Sequence, residues 1–182
     1  MKLKSIPVIL LGLLCLTACS NVVDAVGDQY PMEDIVYDDV GNKSEIFRAY
    51  DQKPEKVAAG ITDSEEAVHK ASKDGRDLML YDDYLVQVYQ DTQKEEDTII
   101  EVSDKEFVRN NYDSDFFSDY GIEEEAEEVY AIDLDNRGGF FYTGYIGGSG
   151  GSYVKNAGSS PSVRQSSSTS SGVRGGGPGA GK

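Results

Sequence analysis

The sequence predicts an α+β domain: a small antiparallel sheet, made of a three-stranded meander plus one or more further strands, packed with two or three helices. Three observations carry that expectation. Two β-rich runs, 77–81 and 84–89, flank Asp82-Asp83, the length of a two-residue hairpin loop, and a third run, 98–102, follows a polar loop. Thr62-Asp63-Ser64-Glu65 and Ser103-Asp104-Lys105-Glu106 both have the capping-box spacing of a helix start. Of the 182 residues, the stretch between an apolar N-terminal segment and a Gly/Ser-rich tail has the length of one domain.

The N-terminal segment reads as an address. Lys2 and Lys4 precede an almost wholly apolar run over residues 6–16. That run is shorter than the about 20 residues a membrane-spanning helix needs, and it suits the apolar region of a secretory signal. Leu16-Thr17-Ala18-Cys19 follows. It resembles a bacterial lipobox, in which a small residue precedes the Cys whose thiol accepts diacylglycerol. Residues 1–18 are therefore expected to be a lipoprotein signal peptide, with Cys19 the lipidated, palmitate-bearing first residue of the mature chain. Cys15 would leave with the signal, so the mature chain would hold no free thiol. Two or more acyl chains give stable attachment where one is marginal.

Residues 19–30 read as a tether, 31–142 as the acidic α+β domain and 143–182 as a disordered tail. Within the domain, 44–50 alternates Ile46, Arg48 and Tyr50 against Phe47 and Ala49, a strand pattern. Pro54 suits the first turn of a helix. The Thr62 box predicts a second helix through Ala71, ended by Gly75. The Ser103 box stands before Phe107, Val108, Tyr112 and Phe116, spaced to share a helical face. Residues 123–128 extend a helix in which Glu123 repels Glu127 and Glu124 repels Glu128. A last hairpin is expected to join 129–134 to 139–145. The tail, 143–182, holds 12 Gly and 10 Ser and no acid, too little apolar surface to offset ordering.

Three segments carry a family resemblance: 44–51 (SEIFRAYD), 54–61 (PEKVAAGI) and above all 97–113 (DTIIEVSDKEFVRNNYD). They resemble the Gram-positive lipoproteins grouped as domain of unknown function 4247, over roughly residues 35–117. The lipobox upstream and the Gly/Ser/Tyr-rich tail downstream fit that layout. The resemblance implies an envelope location and a shape; it implies no activity and no catalytic residue.

Composition narrows the chemistry. Lys and Arg total 17 against 33 Asp and Glu, a net charge of −16, which opposes binding to nucleic acid through charge. All 33 acids fall within 24–135, which holds 10 Lys and Arg, a local net charge of −23. One His and two Cys cannot build a multi-histidine centre, a zinc ribbon or a disulfide framework. Carboxylate pairs such as Asp38-Asp39, Asp82-Asp83 and Glu95-Glu96 have the residue types of glycoside hydrolysis, but so many acids supply pairs by chance, and the chain has no Trp for a sugar-binding wall. Asp133-Leu134-Asp135-Asn136-Arg137-Gly138 opens like a calcium loop, yet Arg137 stands at the third ligand position and Gly144 at the twelfth, so it reads as a turn. His69 is expected to face solvent on a helix, and Phe140, Phe141, Tyr142 and Tyr145 to form a strand that buries alternate rings rather than a stacking platform. Ser159–Ser171 has no His nearby and belongs to the low-complexity tail.

No catalytic, cofactor-binding or metal-ligating residue is expected, and no cofactor. The expected protein is a non-enzymatic lipoprotein on the outer face of a Gram-positive cell membrane. It would be held by lipid on Cys19 and present an acidic surface to an envelope protein or other basic partner. The alternative is an acidic divalent-cation-binding envelope protein, with calcium held weakly.

Overall fold

The computed structural model describes residues 21–134, 139–145, 152–156 and 164–165. Its centre is an antiparallel sheet of β1 (Met32–Tyr37), β2 (Lys43–Ala49), β3 (His69–Lys73), β4 (Arg76–Leu80), β5 (Tyr84–Gln90) and β6 (Thr98–Asp104). Its order is β3-β4-β5-β6-β2-β1, and the two-residue strand β9 (Arg164–Gln165) pairs at the β1 edge. The expected meander is β4-β5-β6. Tyr81 and Tyr84 exchange backbone hydrogen bonds across Asp82-Asp83, closing the hairpin there. The strand expected over 44–50 is β2, the partner of β6.

One face of the sheet carries α1 (Val22–Gly27) and α2 (Pro54–Ser64). Sequence reasoning assigned residues 19–30 to a tether, but from Asn21 onward the chain is folded. The Asn21 side chain accepts from the Asp24 N–H at 3.1 Å and starts α1, and Val22, Val26 and Tyr30 are buried in the core. Fully burying a valine of this kind is worth about 1.5 kcal/mol or more, enough to hold a six-residue helix that would not form alone. α2 begins at Pro54 as expected but continues unbroken past Thr62. The Thr62 hydroxyl donates back to the Ala58 carbonyl at 3.0 Å instead of capping a new helix. The second helix expected through Ala71 is absent; His69 lies on β3, the edge strand. Gly75 does not end a helix either. Asp74 and Gly75 both have positive φ, 51° and 78°, the signature of a type I′ hairpin turn joining β3 to β4.

The opposite face carries α3 (Lys105–Asn111), α4 (Ser114–Ser118) and α5 (Glu123–Tyr130), with the hairpin β7 (Gly139–Gly144) and β8 (Ser152–Asn156). The cap of α3 is Asp104, one residue later than the expected Ser103; its carboxylate accepts from the Phe107 N–H at 2.7 Å. Ser103 instead lies within β6, buried, with its hydroxyl against that of Ser44. Phe107, Val108, Tyr112 and Phe116 are buried together, but not on one helix: α3 ends at Asn111, Tyr112 caps it, and Asp113 caps α4, which carries Phe116. The glutamates of α5 lie as predicted, three of them in the first turn where the helix dipole favours negative charge. α5 also takes in Val129 and Tyr130, expected in a strand, because Tyr130 is wholly buried and its hydroxyl donates to the Tyr84 carbonyl at 2.9 Å. The final hairpin therefore pairs β7 with β8, not with 129–134. The expected tail boundary at 143 falls inside β7, and Tyr145 is buried.

Register aligns side chains across the second face in rows. Ser44, Ser103 and Leu85 form one; Ile46, Glu101, Gln87 and Leu78 the next; Arg48, Ile99, Tyr89 and Arg76 the third. Polar residues thus sit in the middle of a buried sheet face, and α3 and β7 cover them.

Candidate functional site

Glu101 is completely buried at the centre of that face. Its Oε1 accepts the Ser44 hydroxyl at 2.9 Å, and Ser44 in turn lies 2.8 Å from the Ser103 hydroxyl. Its Oε2 accepts the Tyr145 N–H at 3.1 Å and lies 3.1 Å from the Tyr89 hydroxyl. The wholly buried Tyr142 side chain packs at the same centre. Burial pushes the Glu101 carboxyl up, opposed in part by these bonds and by the Arg76 charge. Burial likewise raises the Tyr89, Tyr112 and Tyr142 hydroxyls well above the ordinary phenol value. Around them, Tyr142 packs edge-on to Phe107 at 5.3 Å and to Tyr112 at 5.7 Å.

Tyr145 is the residue that ties this centre to the surface. Beyond its N–H contact with Glu101, its hydroxyl donates to Asp34 Oδ2 at 3.1 Å on β1. The expected domain bounds put it in the tail, 143–182, and the expected hairpin puts it at the end of the strand 139–145. The aromatic run itself is a strand, as expected, but the neighbouring Phe141 and Tyr142 are both buried rather than alternate rings, Tyr142 against Phe107 and Tyr112.

Above the centre opens a cleft of about 730 Å³, walled by the β2–α2 loop, the β3–β4 turn, the β5–β6 loop and the end of β7. Arg76 and Tyr89 are part of its lining. The Arg76 guanidinium stacks on the Tyr89 ring at 4.2 Å. Its Nη1 donates to Gln87 Oε1 at 3.0 Å and to the Thr143 carbonyl at 2.6 Å. Gln87 passes the connection inward, donating to the Tyr112 hydroxyl at 2.6 Å. Gly144 is required where it stands: φ is +133°, and a Cβ there would lie 3.1 Å from Arg76 Nη1 and 3.3 Å from Nη2.

A second charged cluster lies at the same end of the sheet. Arg48 is buried and paired with Glu33, Asp91 and Asp97. Burial opposes its charge, but the carboxylates of Glu33 and Asp91 more than offset that and raise its pKa. Asp97 also accepts the Asp51 N–H at 3.1 Å, and Thr98 donates to the Gln52 carbonyl at 2.6 Å, so the cluster fixes the loop that walls the cleft.

Of the residues singled out in sequence, Cys19, Asp135–Gly138 of the calcium-like loop and the serines of 159–171 lie outside the described residues. Asp82-Asp83 form the hairpin loop, and Asp38 is held by Val40, Asn42, Asn110 and Asn111 as a loop anchor. Glu95 and Glu96 line the cleft, whereas their neighbour Asp97 is turned to Arg48. Among the described residues, no group of three or more His, Cys, Asp or Glu side chains is arranged to hold a metal ion, and no helix is long and apolar enough to cross a membrane. Neither Arg76 nor Glu101 is among the residues singled out in sequence, whereas Tyr145 is, as part of the aromatic strand. Glu101 had a visible signal, a single acid inside the apolar run Ile99-Ile100-Glu101-Val102.

The family model described as "Domain of unknown function (DUF4247)" matches residues 9–178, which takes in the acidic helix α5 and most of the Gly/Ser-rich segment beyond the 35–117 of the resemblance. Neither a curated protein nor a solved structure matches the chain.

Proposed function

We propose the following role for this chain, which belongs to the DUF4247 family: it is a lipid-anchored, extracytoplasmic binding module of the Gram-positive cell envelope, not an enzyme. The observation that carries the binding reading is the separation between the buried polar centre and the open cleft. Glu101 and Ser44 are buried and bonded to each other, with the buried Tyr142 of β7 beside them, while the cleft above presents fixed charge and a pre-oriented guanidinium. Such an arrangement suits recognition: the buried centre shapes the floor, and the ligand meets the rim. The rim is acidic, which suits a partner carrying positive charge.

Anchoring rests on the Leu16-Thr17-Ala18-Cys19 motif after its basic and apolar lead. Only Ser20 and Asn21 separate Cys19 from α1, so an acylated Cys19 would hold the domain within about 11 Å of chain from the lipid surface. The test is fractionation. Wild-type protein should stay with membranes through a carbonate wash and incorporate labelled palmitate, and Cys19→Ser should do neither. A Cys19→Ser variant that still fractionates with washed membranes would overturn the anchor.

A further inference from the structure

We infer that the cleft beside Arg76 binds a short basic peptide by its free C-terminal carboxylate. The inference deepens the binding-module reading and rests on it.

Two features of opposite sign define the ligand. The first is Arg76. Its named partners are all neutral: the Tyr89 ring, the Gln87 amide oxygen and the Thr143 carbonyl. Among the described residues no carboxylate lies within ion-pair distance of it, and only Nη1 has hydrogen-bond partners. This is unusual in a chain with 33 acids, and the contrast within the molecule is direct, since Arg48 is paired with three carboxylates. The nearest acid in sequence, Asp77, accepts the Ser72 hydroxyl, and nearby Lys73 pairs with Asp119. Arg76 is thus oriented in advance by groups that do not neutralise it, with donors left in the planar fork that matches a carboxylate. Gly144 keeps the approach open, because any side chain there would meet the guanidinium.

The second feature is the wall. Asp51, Glu55, Asp74, Glu95 and Glu96 line the same cleft, against Lys53 and Arg76. Five carboxylates around one guanidinium repel a dianion such as phosphate. They favour a molecule whose single carboxylate is surrounded by its own ammonium groups. The cleft volume of about 730 Å³ falls in the range of small-ligand sites, roughly 300–1,000 Å³, and suits a di- or tripeptide. A basic C-terminal residue supplies both charges, the carboxylate for Arg76 and the ammonium for the acidic wall.

The probes are the dipeptide Lys-Lys, its C-terminal amide and inorganic phosphate, titrated calorimetrically into the full-length chain in detergent. Lys-Lys should bind, and the amide at least tenfold more weakly, because it lacks the anion for Arg76. Arg76→Gln should erase the preference for the acid over the amide. Glu95→Gln with Glu96→Gln, both on an exposed loop, should weaken both peptides and keep the preference. Absence of binding at millimolar peptide, equal binding of acid and amide, or binding of phosphate in place of peptide would each overturn the inference. Should Arg76→Gln fail to fold by circular dichroism, the acid–amide comparison on the wild type and the Glu95/Glu96 variant still decides it. The anchor reading stands or falls separately, on the Cys19→Ser fractionation.

Discussion

The Tyr89 hydroxyl lies 3.1 Å from Glu101 Oε2 and 3.1 Å from the Tyr145 carbonyl oxygen. It carries one proton and can satisfy one of those acceptors at a time. With Glu101 ionised, a hydrogen bond to the carboxylate leaves the Tyr145 carbonyl without that donor. With Glu101 neutral, the carboxyl donates to Tyr89, and Tyr89 donates to Tyr145. Burial raises the Glu101 carboxyl, and the shared Tyr89 hydroxyl links the centre of the sheet to the backbone beside the cleft.

The first prediction follows from that pair. The folded pKa of Glu101 is raised, so its contribution to stability is fully present below the unfolded carboxyl value of about 4.3 and is lost as pH rises toward the folded value. Glu101→Gln removes this titration. Urea midpoints of variant and wild type, compared from pH 4 to 8, should shift in favour of the variant as pH rises. Parallel curves would show that Glu101 does not titrate differently on folding.

Arg48 and Asp91 carry the opposite pH dependence. Burial raises the Asp91 carboxyl, but the Gln93 N–H and the Arg48 guanidinium outweigh it and hold the pKa below the usual value. Its stabilisation is therefore present above the unfolded value of about 3.9 and is lost as pH falls through the folded one. Asp91→Asn should flatten the loss of stability below about pH 4. Arg48→Met should be worse at neutral pH, by about 3–5 kcal/mol in chemical denaturation, because it leaves Asp91 and Asp97 buried without their cation.

The meander and the burial of Phe107, Val108, Tyr112 and Phe116 are legible because each signal is local, a period of two, a two-residue loop and a repeat of apolar residues, whereas the break between α3 and α4 at Tyr112-Asp113 is not. The β3–β4 hairpin was equally local, and Asp74-Gly75 is a strong short-range signal for it. The capping spacing at Thr62 competed with it and lost, because α2 already had its start at Pro54 and the Thr62 hydroxyl bonded back along the helix. α1 and the helical end at Val129-Tyr130 depend on tertiary burial, which a short window of sequence does not reveal. The cleft was invisible for the same reason: Arg76, Tyr89 and Gly144 meet only through strand register and the β7 crossing, 55 residues from Tyr89 to Gly144.

Asp104 supplies the third prediction. Its Oδ1 caps α3 through the Phe107 N–H at 2.7 Å, and its Oδ2 accepts the Lys43 N–H at 2.9 Å on β2. Asp104→Ala loses both and should lower stability by about 1–2 kcal/mol, read from the urea midpoint. Asp104→Asn should recover only the capping part of the loss, since its amide oxygen still caps the helix while its Nδ2 cannot accept the Lys43 N–H. Equal loss in both variants would mean that the Oδ2 contact with Lys43, not the cap, matters.

The fourth prediction concerns the surface charge. Residues 24–135 carry 33 acids against 10 bases, a net charge of −23, far beyond what solubility requires of a domain this size. Only part of that charge is paired; α5 alone places Glu123, Glu124 and Glu125 in one turn, and five carboxylates line the cleft. Their mutual repulsion acts against the compact state and is screened over about 8–10 Å at physiological salt. The melting temperature should therefore rise with sodium chloride. Calcium tests whether the same acids form a specific site. Among the described residues they are spread along loops and helix faces, with no three arranged around a point. Calcium chloride should then follow the curve set by ionic strength. Stabilisation by millimolar calcium well above that curve would require a site that binds the folded state by mass action, and would favour cation binding over a docking role for the acidic surface.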